Sequence, residues 1–260
     1  MWLNFLWLGL VILTYMIIMY FVAVKKVDFS IVDVAYGIGF ILLSLSALIF
    51  SSNFSFNHLI PVILVSLWGV RLAWHVYKRN KKKGIEDIRY QNMRKNWQPH
   101  PNRSAFFKVF LFQGMVIYII TFSIMYYITF ESEGTLHWFS YIGLVIWIVG
   151  YFFEVVGDAQ LKKFIANPEN KGHIIQTGLW RYTRHPNYFG EATMWWGLFF
   201  FTLPVNFPLS LIAIISPLWI TILLLFISGV PLLEKHYEGN EEYEEYKKHT
   251  SKFFPLPRKK

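Results

Sequence analysis

Between Gly178 and Glu191 the chain places Arg181, Tyr182, Arg184, His185, Asn187, Tyr188 and Glu191 directly ahead of, or inside, an apolar run. Pro186 suits the first turn of a helix, where its missing N–H is not needed. Arg181, Arg184 and His185 then crowd a helix N-terminus, whose dipole disfavours each cation by about 0.3–1 kcal/mol. An anion is expected to offset them. Free N–H groups at a helix start suit a phosphate, and planar guanidinium groups bind it bidentately; lipid headgroups are the alternative. Glu191 lies one turn after Asn187 and three residues after Tyr188, so the three can share a face. A carboxylate within the bilayer costs a few kcal/mol and normally faces a bundle interior or a wet cavity. Glu154 and Asp158, four residues apart near the end of the preceding apolar run, repel by about 0.2–0.5 kcal/mol on a helix. A shared donor-rich ligand would relieve them; an ion pair of Asp158 with Lys162 is the simpler explanation.

Other candidates lie earlier. Arg71, between Trp68 and the pair Trp74 and His75, puts a permanent charge near the end of an apolar run, either snorkelling or binding an anion. The loop after it holds Glu86, Asp87, Arg89 and Tyr90 and offers a ribose or phosphate contact. Asp33 follows Ser30 by three residues, which fits a capping box or a substrate-binding carboxylate beside Tyr36. Cysteine is absent, which excludes disulfides, thiolate nucleophiles and Cys-ligated metal, and no metal centre is expected. Dinucleotide-fold, P-loop, zincin and serine-hydrolase signatures are absent as well, so a nucleotide would have to be held between helices.

The elements that must carry these residues are membrane helices. The chain has 260 residues, of which 55% are hydrophobic, well beyond a soluble average. Runs long enough for a bilayer core of roughly 20 residues occur at 2–24, 31–50, 59–77, 106–130 and 138–156, followed by 188–203 and 209–233 around a turn at Pro204 to Pro208. The fold class is therefore all-α: a polytopic bundle of seven transmembrane helices. The first run lacks a basic leader and a cleavage site and reads as a retained helix. Loops 51–58, 131–137 and 204–208 contain no Lys or Arg, so the positive-inside rule puts the N-terminus outside and the C-terminus in the cytoplasm. No broken helix of the transporter kind is expected apart from the Pro204 turn, and no heptad array is read. The tail from Glu234 to Lys252 reads as a charged helix. The net charge of +9 sits in the inside loops, so membrane lipid rather than nucleic acid is the expected partner.

The stretch from Gly178 to Glu191 resembles the C-terminal signature of the steroid 5-alpha-reductase family, in particular its bacterial branch long catalogued as a domain of unknown function. Trp68 to Leu72, Gly84 to Tyr90 and Asp158 to Phe164 also match that branch. The resemblance implies a single membrane domain, 1–260, with a substrate side in helices one to three (1–77) and a cofactor side in helices four to seven with their loops (78–260). It implies an NADPH-dependent oxidoreductase acting on a conjugated C=C of a lipophilic substrate, in a bacterial cell membrane with its site facing the cytoplasm. By position, Asn187 and Glu191 would meet the nicotinamide end, Asp158 the adenine or ribose part, and Arg71, Arg89 and Arg184 the phosphates, with Glu154 and Lys162 also among the cofactor-binding residues. Tyr90, Tyr182, His185 and Tyr188 would line the cofactor pocket. Asp33, Tyr36 and Glu191 are the catalytic candidates. Steroid-reducing members hold the ketone with a glutamate and a tyrosine; here Asp33 and Tyr36 are the nearest groups, and Trp68 stands where the tyrosine is expected. A similar Arg-His-Pro signature occurs in isoprenylcysteine methyltransferases, which makes S-adenosylmethionine the alternative ligand.

Overall fold

A computed structural model describes residues 2–52 and 54–259, and among these it contains helices and turns with no strand, only one isolated bridge between Thr183 and Ser251. Among the described residues six helical segments are long and apolar enough to cross a membrane: Trp2–Lys26, Ile31–Phe50, Phe56–Lys82, Pro101–Phe130, Trp138–Ala166 and Leu209–His236. The expected crossing at 188–203 is a helix of 15 residues, Pro186–Phe200. At 1.5 Å per residue it spans about 22 Å, short of a hydrocarbon core of about 30 Å.

The chain divides into two compact units. The first comprises Met1–Leu136 with Val205–Ala213. It holds α1 (Trp2–Lys26), α2 (Ile31–Phe50), α3 (Leu59–Lys83), α4 (Ile88–Asn96), α5 (Pro101–Ala105) and α6 (Phe112–Phe130), the last entered through a π-helical turn at Phe106–Leu111. The α2 helix packs on α1, α3 and α6. It approaches α3 where Gly37 meets Gly69: a Cβ on either would lie 2.6–2.7 Å from the other's carbonyl oxygen. Apolar length does not end α3 at Tyr77; it continues as a polar helix until Gly84, whose φ of 66° supplies the left-handed cap. Ser30 does not form the expected capping box, because its hydroxyl donates to Asp28 Oδ1 at 2.6 Å and Asp33 is engaged elsewhere. At the opposite ends of the helices, buried His58 Nε2 faces Glu131 Oε2 at 2.9 Å without in-line hydrogen-bond geometry.

The second unit comprises His137–Pro204 with Ile214–Lys260. It holds α7 (Trp138–Ala166), α8 (Pro186–Phe200), α9 (Ile215–Ile222), α10 (Val230–His236) and α11 (Glu241–His249). The α7 and α8 helices meet backbone to backbone through glycines spaced by seven residues. A Cβ on Gly143 would lie 2.4 Å from Gly197 O, and one on Gly150 would lie 2.6 Å from Gly190 O. The absence of broken helices does not hold. After a π-helical turn at Leu223–Ile227 the last apolar segment unwinds at Ser228 and Gly229, whose N–H groups both reach back to Leu223 O. Pro231 explains the break, since a proline has no N–H to give and crowds the carbonyl four residues earlier. The charged tail is likewise two helices, α10 and α11, rather than one.

Candidate functional site

The glycine contacts fix the register of α7 against α8, and the register brings the polar residues together. Gly157 lies against Pro186 and Asn187, and one turn deeper Gly190 lies against Glu154, with a Cβ there only 2.5 Å from the Glu154 backbone nitrogen. Asp158 Oδ1 accepts a hydrogen bond from Asn187 Nδ2 at 3.1 Å. Two four-residue pairs, Glu154 with Asp158 and Asn187 with Glu191, therefore line adjoining helices at one end of the unit. Glu154 is buried, and Asp158, Asn187, Tyr188 and Glu191 are half-buried. Three carboxylates and an amide can accept hydrogen bonds from a ligand rich in hydroxyl and amide N–H groups. Lys162, one turn beyond Asp158, is exposed. At the end of α7 a cleft of about 540 Å³ opens, with Phe164, Asn167, Lys171, His173, His236 and Tyr237 among its walls.

The anion expected at the start of α8 is part of the chain. Arg184 is buried, and its Nε and Nη2 both bond Glu234 Oε1 at 3.0 and 2.9 Å, while Nη1 donates to the carbonyls of Lys247 and Thr250. His185 Nε2 faces the same Glu234 oxygen at 3.1 Å, and its ring stacks on Tyr188 with centroids 5.5 Å apart. Burial lowers the His185 pKa, and the hydrogen bond it donates to Glu234 opposes that only in part. The neutral ring donates from Nε2, and its buried Nδ1 has no partner among the described residues. Tail and signature are further tied by Leu256 N–H to Tyr182 O at 3.0 Å, Thr183 Oγ1 to Phe253 O at 2.8 Å and the Tyr246 hydroxyl to Trp180 O. The Tyr182 side chain itself is exposed. Glu234 is the residue that sequence reasoning missed. The available signal was an acid at the C-terminal end of an apolar run, with two cations elsewhere in need of one.

Asp33, Arg89 and Tyr90 form a second constellation, in the first unit. Asp33 Oδ2 pairs with Arg89 Nη2 at 2.8 Å, and Oδ1 accepts from the Tyr90 hydroxyl at 2.6 Å. Burial first, and then Asp33, push the Tyr90 phenol well above its ordinary range, so it remains a donor. Asp87 caps α4 through Arg89 N and also bonds Arg89 Nε. Glu86 pairs with Arg94, whose guanidinium lies 3.8 Å from the centre of the Phe29 ring. The loop from Gly84 to Tyr90 is thus folded onto the start of α2, with both Asp33 oxygens accepting. Tyr36 packs edge-on against Phe40, and Phe40 edge-on against buried Trp68. Arg71 is half-buried on α3. Among the described residues no group of three or more metal-ligating side chains occurs.

These features define a multi-pass helical membrane protein with a polar array on two closely packed helices and a tail bonded to the segment that precedes the second of them. Residues 19–250 match the family described as "Protein of unknown function (DUF1295)", and the chain belongs to that family. It is similar to an uncharacterized protein of Schizosaccharomyces pombe, C594.04c, with 23% identity over 220 residues; the match covers 76% of this chain and 63% of the length of that relative. No solved structure matches.

Proposed function

We propose that this protein is an NADPH-dependent reductase of a conjugated C=C in a lipophilic substrate. The observation that carries the reading is the array of Glu154, Asp158, Asn187 and Glu191, held in register by the Gly150 and Gly190 contact. Its acceptors suit the carboxamide and ribose hydroxyls of a nicotinamide nucleotide. Exposed Lys162 and Arg181, with Lys171 beside the cleft, are cations available to its phosphates. When bound, NADPH would supply hydride to the β-carbon of the enone and become NADP+, and a proton from water would complete the reduction at the α-carbon. Glu191 and Asn187 orient the ring carboxamide, Asp158 holds a ribose hydroxyl, and the close helix contact excludes water from the deeper turn around Glu154. Arg184 is not a phosphate ligand in this reading, because Glu234 and two carbonyls already take its donors. Asp33 needs a new partner arrangement before it can polarise a ketone, since both its oxygens accept from Arg89 and Tyr90.

The same reading makes α8 a seventh crossing, with the N-terminus outside and the tail inside. Support comes from the two ends of the last apolar segment. Its α10 end meets the start of α8 through Glu234 and Arg184, while its beginning follows α8 after the short turn 201–208. In this reading α8 and that turn cover the same height as the last segment.

The test is ligand-induced thermal stabilisation of the detergent-purified protein. Stabilisation by NADPH and not by NADH is expected, with a loss of about tenfold or more in affinity in Glu191→Gln and in Asp158→Ala, since each removes a hydrogen bond to a buried polar ligand group. Stabilisation by S-adenosylmethionine alone would replace reduction with methyl transfer.

A further inference from the structure

The 31 residues from Lys78 to Lys108 contain ten Lys and Arg against two acids, which accounts for +8 of a total net charge of +9. Both acids, Glu86 and Asp87, are taken by Arg94 and Arg89. At the end of α3 Arg79 reaches Asp33 at 3.6 Å, whereas Lys78 and Lys81 pair with no acid among the described residues, and they lie on a defined face. Residues Ile63, Leu67 and Val70 are 52–60% exposed along one side of α3, while Val62, Val65, Gly69, Ala73 and Val76 on the other side are buried. The same exposed stripe continues with Trp74 and Tyr77, 56% and 44% exposed, whose rings stack 5.9 Å apart. Next come Lys78, over the Trp74 ring at 4.7 Å, and Lys81, over the Tyr77 ring at 5.9 Å.

We infer that this face of α3 is a binding site for an anionic phospholipid of the surrounding membrane. The order of chemistry along the helix is that of the lipid: apolar side chains for the acyl chain, an aromatic belt at ester level, and two ammonium groups for the phosphate. From Ile63 to Trp74 the helix rises about 16 Å, the reach of an acyl chain. The cation–π contacts hold Lys78 and Lys81 at the boundary rather than letting them sweep the solvent. Charge complementarity selects the occupant, because a zwitterionic headgroup gains little from two uncompensated lysines. The site depends neither on the proposed reaction nor on the α7 and α8 array.

The experiment is fluorescence quenching of the protein reconstituted in phosphatidylcholine vesicles, comparing a minor fraction of brominated phosphatidylglycerol with the same fraction of brominated phosphatidylcholine. The Trp74 contribution is isolated by difference from Trp74→Phe. Brominated phosphatidylglycerol is expected to be favoured at Trp74 by about fivefold or more, the effect of about one engaged lysine. Lys78→Gln with Lys81→Gln should remove that preference, and so should high salt. Trp138, equally exposed at 56% beside a loop free of Lys and Arg, should show none. Equal quenching of Trp74 by the two lipids, or a preference that survives the double substitution, would overturn the assignment. The substituted lysines are exposed, and an unchanged melting temperature in phosphatidylcholine separates loss of the site from loss of the fold.

Discussion

Burial and a carboxylate act on His185 in opposite directions, and burial prevails, holding the imidazole below its ordinary value of 6.5. The folded chain therefore binds this proton less readily than the unfolded chain. Its contribution to stability is complete above about pH 6.5 and is lost as pH falls through the lower folded value. The melting temperature in detergent should decline on acidification from about pH 6.5 towards pH 5, and His185→Gln should flatten that decline. Parallel pH curves for the two proteins would show that the His185 environment does not favour the neutral ring. The helix dipole argument was enough to predict an unmet need for negative charge near Arg184 and His185. It could not say that Glu234, fifty residues later, meets it, because that pairing is tertiary and leaves no local pattern. Asp33 shows the same gap: spacing alone allowed a cap with Ser30, whereas the pull of Arg89 and Tyr90 decides its place.

Among the elements, the α7 and α8 pair depends most on small side chains. Gly190→Ala would put a methyl 2.5 Å from the Glu154 nitrogen and from Gly150 O, both main-chain atoms that cannot move aside. Separating the helices should cost about 1–3 kcal/mol or more and open the Asp158 and Asn187 hydrogen bond. Gly9→Ala is the matched control, since the nearest atom to its Cβ is Tyr118 Cε2 at an ordinary 3.7 Å. A clear drop in melting temperature for the first and little change for the second is expected, and equal behaviour would remove the glycine contacts as the origin of the register. Apolar run length located α1, α2 and the beginnings of α3 and α7, because a bilayer core imposes a minimum length. It gave no warning of the glycine ladder, since hydropathy treats glycine as nearly neutral and the seven-residue spacing shows only when α7 and α8 are set side by side. Nor did it show the break at Gly229, where the apolar run continues straight through Pro231.

For the whole molecule the number of crossings decides on which side the tail lies. Among the described residues six segments qualify by length and composition, and an even number would put the two termini on one side. The basic tail and the Arg184 to Glu234 clasp argue for an odd number. Residues 173–184 touch 234–258 at many points, so both ends of the hairpin made by α8 and the last apolar segment lie on one side. A helix of 15 residues can still cross when the turn after it and the 3-10 stretch Leu209–Ile214 share the outer boundary, or where the bilayer thins around it. The chain has no cysteine, so single introduced thiols report sidedness without a background. On intact cells a membrane-impermeant maleimide should label Phe207→Cys and Ser132→Cys and spare Lys171→Cys and Glu238→Cys until the membrane is opened. Protection of Phe207→Cys together with Lys171→Cys would make α8 a re-entrant helix. Because Arg184 holds Glu234 on the same side, the last apolar segment would then also return to the side it started from, and the chain would cross five times.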